Sequence, residues 1–88
     1  MILIFSTRGW SEYLEYQKDD QRLLERLNGL ITECMRHPSK GTGKPEPLKD
    51  NMRGWWSRRI DREHRLVYRV SGSGDAQALE IAQCRFHY

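Results

Sequence analysis

At 88 residues the chain is long enough for one compact domain, residues 1–88, and too short for two. Its 38% hydrophobic and 31% charged residues suit a globular fold with a modest core, one that a partner chain or a dimer contact would help to stabilise. The net charge of +3 divides unevenly. Residues 1–35 carry four Lys and Arg against six Asp and Glu, and residues 36–88 carry eleven against six, so the basic second half points to a polyanion such as nucleic acid.

The chain opens on Met1-Ile2-Leu3-Ile4-Phe5. This apolar run lacks a basic flank and is too short for a signal peptide or a membrane span, so it predicts a first β-strand in a cytoplasmic protein without membrane contact. Ser6 or Thr7 can cap a helix beginning near Gly9, in which Trp10, Tyr13, Leu14 and Gln17 recur at helical spacing. Lys18-Asp19-Asp20 reads as a break with an Asp as the next N-cap. From Gln21 to Arg36, Leu23, Leu24, Leu27, Leu30, Ile31, Cys34 and Met35 form one apolar stripe, and His37-Pro38 ends that helix.

Residues 38–47 are a loop by composition. Three strand-like runs follow, Trp56 to Ile60, His64 to Ser71, and Ala76 to about Arg85, with Gly72-Ser73-Gly74-Asp75 as a hairpin turn between the last two. The order β-α-α-β-β-β predicts an α+β domain, two helices packed on one face of a mainly antiparallel sheet. In the middle strand His64, Leu66, Tyr68 and Val70 share one face and Arg65, Val67 and Arg69 the other. An Arg-rich open face is an RNA platform or, equally, a solvated face on which the arginine stems lie flat.

The cysteines permit a competing reading. Cys34-x-x-His37 and Cys84-x-x-His87 supply the ligand types of a structural zinc site. Against it, Cys34 falls on the apolar stripe, and an odd separation sends Cys84 and His87 to opposite faces of a strand. Metal-free RNA cleavage fits the residue types better. A base must take the proton of a ribose 2′-hydroxyl as it attacks phosphorus, cations must stabilise the phosphorane, and an acid must protonate the departing 5′-oxygen. Glu46, held between Pro45 and Pro47, is a candidate carboxylate. His87, anchored by the last strand and close to Arg85, is a candidate acid or base on an anionic substrate, and Tyr88 could stack on a base.

Four blocks go further. Gly43-Lys44-Pro45-Glu46-Pro47-Leu48-Lys49, Trp56-Ser57-Arg58-Arg59-Ile60, Glu63-His64-Arg65-Leu66-Val67-Tyr68 and Cys84-Arg85-Phe86-His87-Tyr88, with Trp10-x-x-Tyr13-Leu14 before them, closely resemble the YoeB family, mRNA-interferase toxins of the RelE superfamily. The resemblance covers nearly the whole chain and implies a RelE-like microbial ribonuclease fold. It implies Glu46 as general base, Arg65 as stabiliser of the phosphorane, His87 as general acid and Tyr88 as positioner, with Lys49 and Arg59 as RNA-contacting cations; Arg85 joins these as a third. It further implies cleavage of mRNA in the ribosomal A site to a 2′,3′-cyclic phosphate and a 5′-hydroxyl, without metal or cofactor. A cognate YefM-like antitoxin would neutralise the toxin, and a homodimer is a further implied assembly. Phe86 where the family favours Tyr, and the long Ser71–Asp75 connection, depart from the pattern. The alternative is a catalytically silent module of the same fold that binds RNA or represses its own operon.

Overall fold

A computed structural model describes residues 1–86. Strand β1 (Ile2–Phe5) leads into helix α1 (Thr7–Asp19) and helix α2 (Gln21–Arg36). Four strands follow: β2 (Glu46–Pro47), β3 (Trp56–Arg59), β4 (Arg65–Ser71) and β5 (Ala78–Gln83). They form one sheet in the order β1-β5-β4-β3-β2, antiparallel except for the parallel β1–β5 pair.

The helix boundaries follow from caps. The Ser6 hydroxyl accepts the Gly9 N–H at 2.9 Å, so α1 starts two residues before the expected Gly9. Asp20 closes α1 through its own N–H to the Tyr16 carbonyl and opens α2 by accepting the Leu23 N–H at 3.1 Å. One residue thus serves both helices, and the chain turns between them without a loop.

Of the expected stripe, helix α2 buries Leu24, Leu27, Leu30, Ile31 and Cys34 in one core with Ile60, Leu66, Tyr68, Leu79 and Ile81, while Leu23 and Met35 are only partly buried at its margin. Helix α1 corrects the sequence reading, because Trp10 and Leu14 are exposed while Gly9, Glu12 and Tyr16 are buried. The helix lies close over the end of β5, where a Cβ at Gly9 would come within 3.1 Å of the Ile81 carbonyl oxygen. A side chain there would push helix and strand apart by a few tenths of an ångström, so glycine suits the close approach.

Two further corrections concern the strands. Glu46 and Pro47, expected in a loop, add a fifth strand at the sheet edge, where a proline's missing N–H faces away from the ladder. Strand β5 ends at Gln83 and does not run on to Arg85.

Candidate active site

Strand register gathers three charged residues on the sheet face opposite the helices. Glu46 of β2 stands opposite Ser57 of β3, and Ser57 stands opposite Val67 of β4. Directly paired residues share a face, so these make one row across the strands. Two residues along, Arg59 stands opposite Arg65 on the same side. With strands about 4.8 Å apart and two residues spanning about 6.7 Å, the Glu46 Cα lies roughly 8 Å from that of Arg59 and roughly 12 Å from that of Arg65. One carboxylate and two arginines therefore belong to the same face of the sheet.

Arg65 is partly committed. Its Nη1 donates to the carbonyls of Asp61, His64 and Arg62 at 2.9, 3.1 and 3.3 Å. The Asp61 carboxylate in turn accepts the N–H groups of His64 and Glu63 at 2.7 and 2.9 Å. Burial pushes the Asp61 carboxyl up, but these two bonds and the neighbouring Arg65 guanidinium outweigh it and leave the group below the usual carboxylate range. The turn before β4 is thus tied on both sides, and Arg65 leaves it in a defined direction. By contrast, the side chains of Glu46, Lys49 and Arg59 are exposed and without hydrogen-bond partners among the described residues.

The loop that delivers Glu46 is fastened from beneath by Arg58, which has no solvent exposure. Its Nε donates to the Tyr68 hydroxyl at 3.0 Å, Nη1 to the Thr42 carbonyl at 3.1 Å, and Nη2 to the carbonyls of Lys40, at 2.8 Å, and His37. Glu33 pairs with Arg58 at 3.3 Å and accepts the Thr42 N–H at 2.7 Å, which holds its carboxyl below the ordinary 4.5. Gly43, at φ 86°, presents its carbonyl to the Arg59 N–H at 2.7 Å, and a Cβ there would fall 2.9 Å from the Arg59 carbonyl oxygen. The chain reaches Glu46 along one route.

Arg85 stands apart from this group. Its Nη1 bonds Glu15 of α1 at 2.7 Å, and its guanidinium lies over the rings of Tyr16 and Phe86, 5.4 Å from each centroid. His87 and Tyr88 lie outside the described residues. The three residues before them are held at both ends. Cys84 donates its N–H to the Glu12 carboxylate at 2.8 Å and accepts the Tyr16 hydroxyl at 2.8 Å. Phe86 donates its N–H to His64 Nδ1 at 2.8 Å and accepts the Arg65 N–H at 3.1 Å.

A family profile described as "YoeB-like toxin of bacterial type II toxin-antitoxin system" matches residues 5–88. The chain belongs to this YoeB-like toxin family. It is 50% identical to Toxin YoeB of Escherichia coli (strain K12) over an alignment of 88 residues that covers 100% of each chain. Among solved structures it is similar to a YoeB/ParE toxin from Agrobacterium tumefaciens, with a TM-score of 0.97 and 55% identity over the whole of both chains. It is also similar to the YoeB chain of a heterotetrameric YoeB-YefM toxin-antitoxin complex from Staphylococcus aureus, with a TM-score of 0.87 and 38% identity over 100% of this chain and 98% of that one.

Several residues that organise the site in this YoeB-like toxin escaped the sequence reading. Arg58 has no role of its own in the sequence reading, although its alternation with Trp56 and Ile60 on one strand face is a signal that it points inward. Glu12 and His64 are polar groups at inward positions, and each receives a backbone N–H of the C-terminal stretch. Both cysteines are buried free thiols; burial pushes Cys34 up to about 11 and, reinforced by the Glu12 carboxylate, Cys84 up to about 12. Among the described residues, no cluster of three or more His, Cys, Asp or Glu is placed to hold a metal ion. The apolar groove between β1, α1 and α2, lined by Phe5, Trp10, Tyr13 and Met35, offers no such charged group.

Proposed function

We propose that this toxin is an endoribonuclease that cleaves mRNA in the A site of the ribosome and so inhibits translation. The observation that carries the reading is the cross-strand pair Arg59 and Arg65, with Glu46 on the same sheet face. Like charges directly opposite one another on antiparallel strands destabilise a sheet, and a bound phosphodiester reverses that cost.

In the proposed reaction, Glu46 takes the proton of the ribose 2′-hydroxyl as the 2′-oxygen attacks the adjacent phosphorus. Arg65, aimed by its bonds to the preceding turn, stabilises the charge on the phosphorane oxygens, and Arg59 and Lys49 hold the flanking backbone. His87 gives its proton to the departing 5′-oxygen as the phosphorus–oxygen bond breaks, and Tyr88 stacks on a base to keep the nucleotide in line. The products are a 2′,3′-cyclic phosphate and a 5′-hydroxyl. A carboxylate, two guanidinium groups and an imidazole meet every charge demand of this route, so it assigns no step to a metal or cofactor.

Arg85 is a weaker candidate for RNA contact, because an incoming phosphate must displace Glu15 from it. By analogy with the Staphylococcus aureus complex, the partner that neutralises the toxin in the cytoplasm is a YefM-like antitoxin. A homodimer is the second proposed assembly, by analogy with the YoeB dimer of the same organism.

Primer extension on an mRNA in a translating extract tests the reading. New 5′ ends are expected on translated messages only. Intact mRNA, with the protein still bound to RNA or to its own operator DNA, would make it a silent binding module instead.

A further inference from the structure

Phe86 is held in an unusual way. Its φ is +62°, a left-handed conformation that a bulky residue adopts only when its surroundings enforce it, and its ring is half exposed. Burial of the side chain therefore does not hold it there. Two hydrogen bonds from one end of β4 do, and the one at its N–H ends on a side chain, the His64 imidazole.

An N–H can bond to Nδ1 only where that nitrogen carries a lone pair, so the ring is neutral with its proton on Nε2. The rest of the site agrees. Nε2 faces the Glu63 carboxylate at 3.9 Å, while Tyr16 and Phe86 meet the ring edge-on with centroids 5.8 and 5.2 Å away. His64 is buried, and Asp61 accepts its backbone N–H, so the imidazole has little freedom to rotate away.

We propose that His64 is a positioning residue: by accepting the Phe86 N–H it fixes the point from which His87 and Tyr88 extend, relative to Arg65, its neighbour on β4. The inference deepens the endoribonuclease reading and rests on it for its effect on catalysis. The hydrogen bond itself stands independently.

Two variants separate this role from packing. His64→Asn keeps an acceptor at the δ position, whereas His64→Leu fills similar space without one. The single-turnover rate of mRNA cleavage on defined ribosome complexes, at saturating toxin, is expected to fall about 10²-fold for His64→Leu. The toxin concentration giving half the maximal rate should stay unchanged, and His64→Asn should recover most of the loss. Thermal midpoints monitor folding throughout. In ¹⁵N-labelled wild-type protein, a scalar coupling across the hydrogen bond should link the Phe86 amide nitrogen to His64 Nδ1.

A His64→Leu variant that cuts at the wild-type rate overturns the proposal. So does equal slowing of both variants in step with lost thermal stability, or an imidazole found protonated on Nδ1. A wild-type protein that leaves translated mRNA intact sinks the endoribonuclease reading alone, and the coupling then decides whether His64 holds Phe86.

Discussion

Arg59 and Arg65 sit opposite each other at a cost to the sheet of about 0.2–1 kcal/mol. Arg59 has no compensating bond among the described residues, whereas Arg65 recovers part of the cost through three carbonyls. The two therefore separate experimentally. Arg59→Gln should leave the thermal midpoint unchanged or slightly higher while slowing cleavage. Arg65→Gln should slow cleavage more and lower stability by about 1 kcal/mol, read from urea titrations. Glu46, exposed and without a hydrogen-bond partner among the described residues, should behave as a functional group only. Glu46→Gln is expected to lower the single-turnover cleavage rate about 10²- to 10⁴-fold at constant stability, and an unchanged rate would remove it as the base.

The stretch from His37 to Gly43 behaves as an element although it contains no helix or strand, because Arg58 and Glu33 bond its backbone from both sides. Arg58→Met removes the charge that satisfies the carbonyls of His37, Lys40 and Thr42 together. It should cost about 3 kcal/mol and should also slow cleavage, because β2 loses its fixed approach. A variant that kept wild-type stability would show that water replaces the guanidinium. Glu33 adds a pH dependence with a definite sign. Its folded value lies below the ordinary 4.5, so its contribution is present above that value and is lost as the pH falls through the lower, folded one. The stability difference between wild type and Glu33→Gln should accordingly shrink in acid below about pH 4.5, as followed by thermal melts in a pH series. None of this loop was legible in its composition of Pro, Gly, Ser and Lys. A loop reads as unstructured when its partners are carbonyls, which every sequence has, and an arginine whose burial depends on strand register.

For the whole molecule, both ends of the chain meet on β5 and its continuation. Strand β1 pairs with β5, α1 bonds Cys84 through Glu12 and Tyr16, and the head of β4 bonds Phe86. An extension after Tyr88 is therefore expected to damage cleavage far more than an extension before Met1. Equal activity of the two tagged proteins in a translating extract would separate the C-terminal residues from the reaction. No helix among the described residues is long and apolar enough to cross a membrane, and apart from Met1 and Phe86 the exposed large apolar residues lie on β1 and α1, at Ile2, Leu3, Ile4, Trp10 and Leu14.

Local chemistry in the sequence was enough for the α2 stripe, an Asp cap at the break between the helices, the alternation along β4 and the four motif blocks that mark a YoeB-like toxin. Each depends on spacings within one segment. Tertiary structure alone decided that Glu46 lies in a strand, that Arg58 is buried while Arg59 is not, and that the histidine just before β4 grips the chain two residues after Cys84. Those outcomes depend on which strands pair and in what register. A shift of one residue exchanges the two faces of a strand, and no single segment records its partner's register.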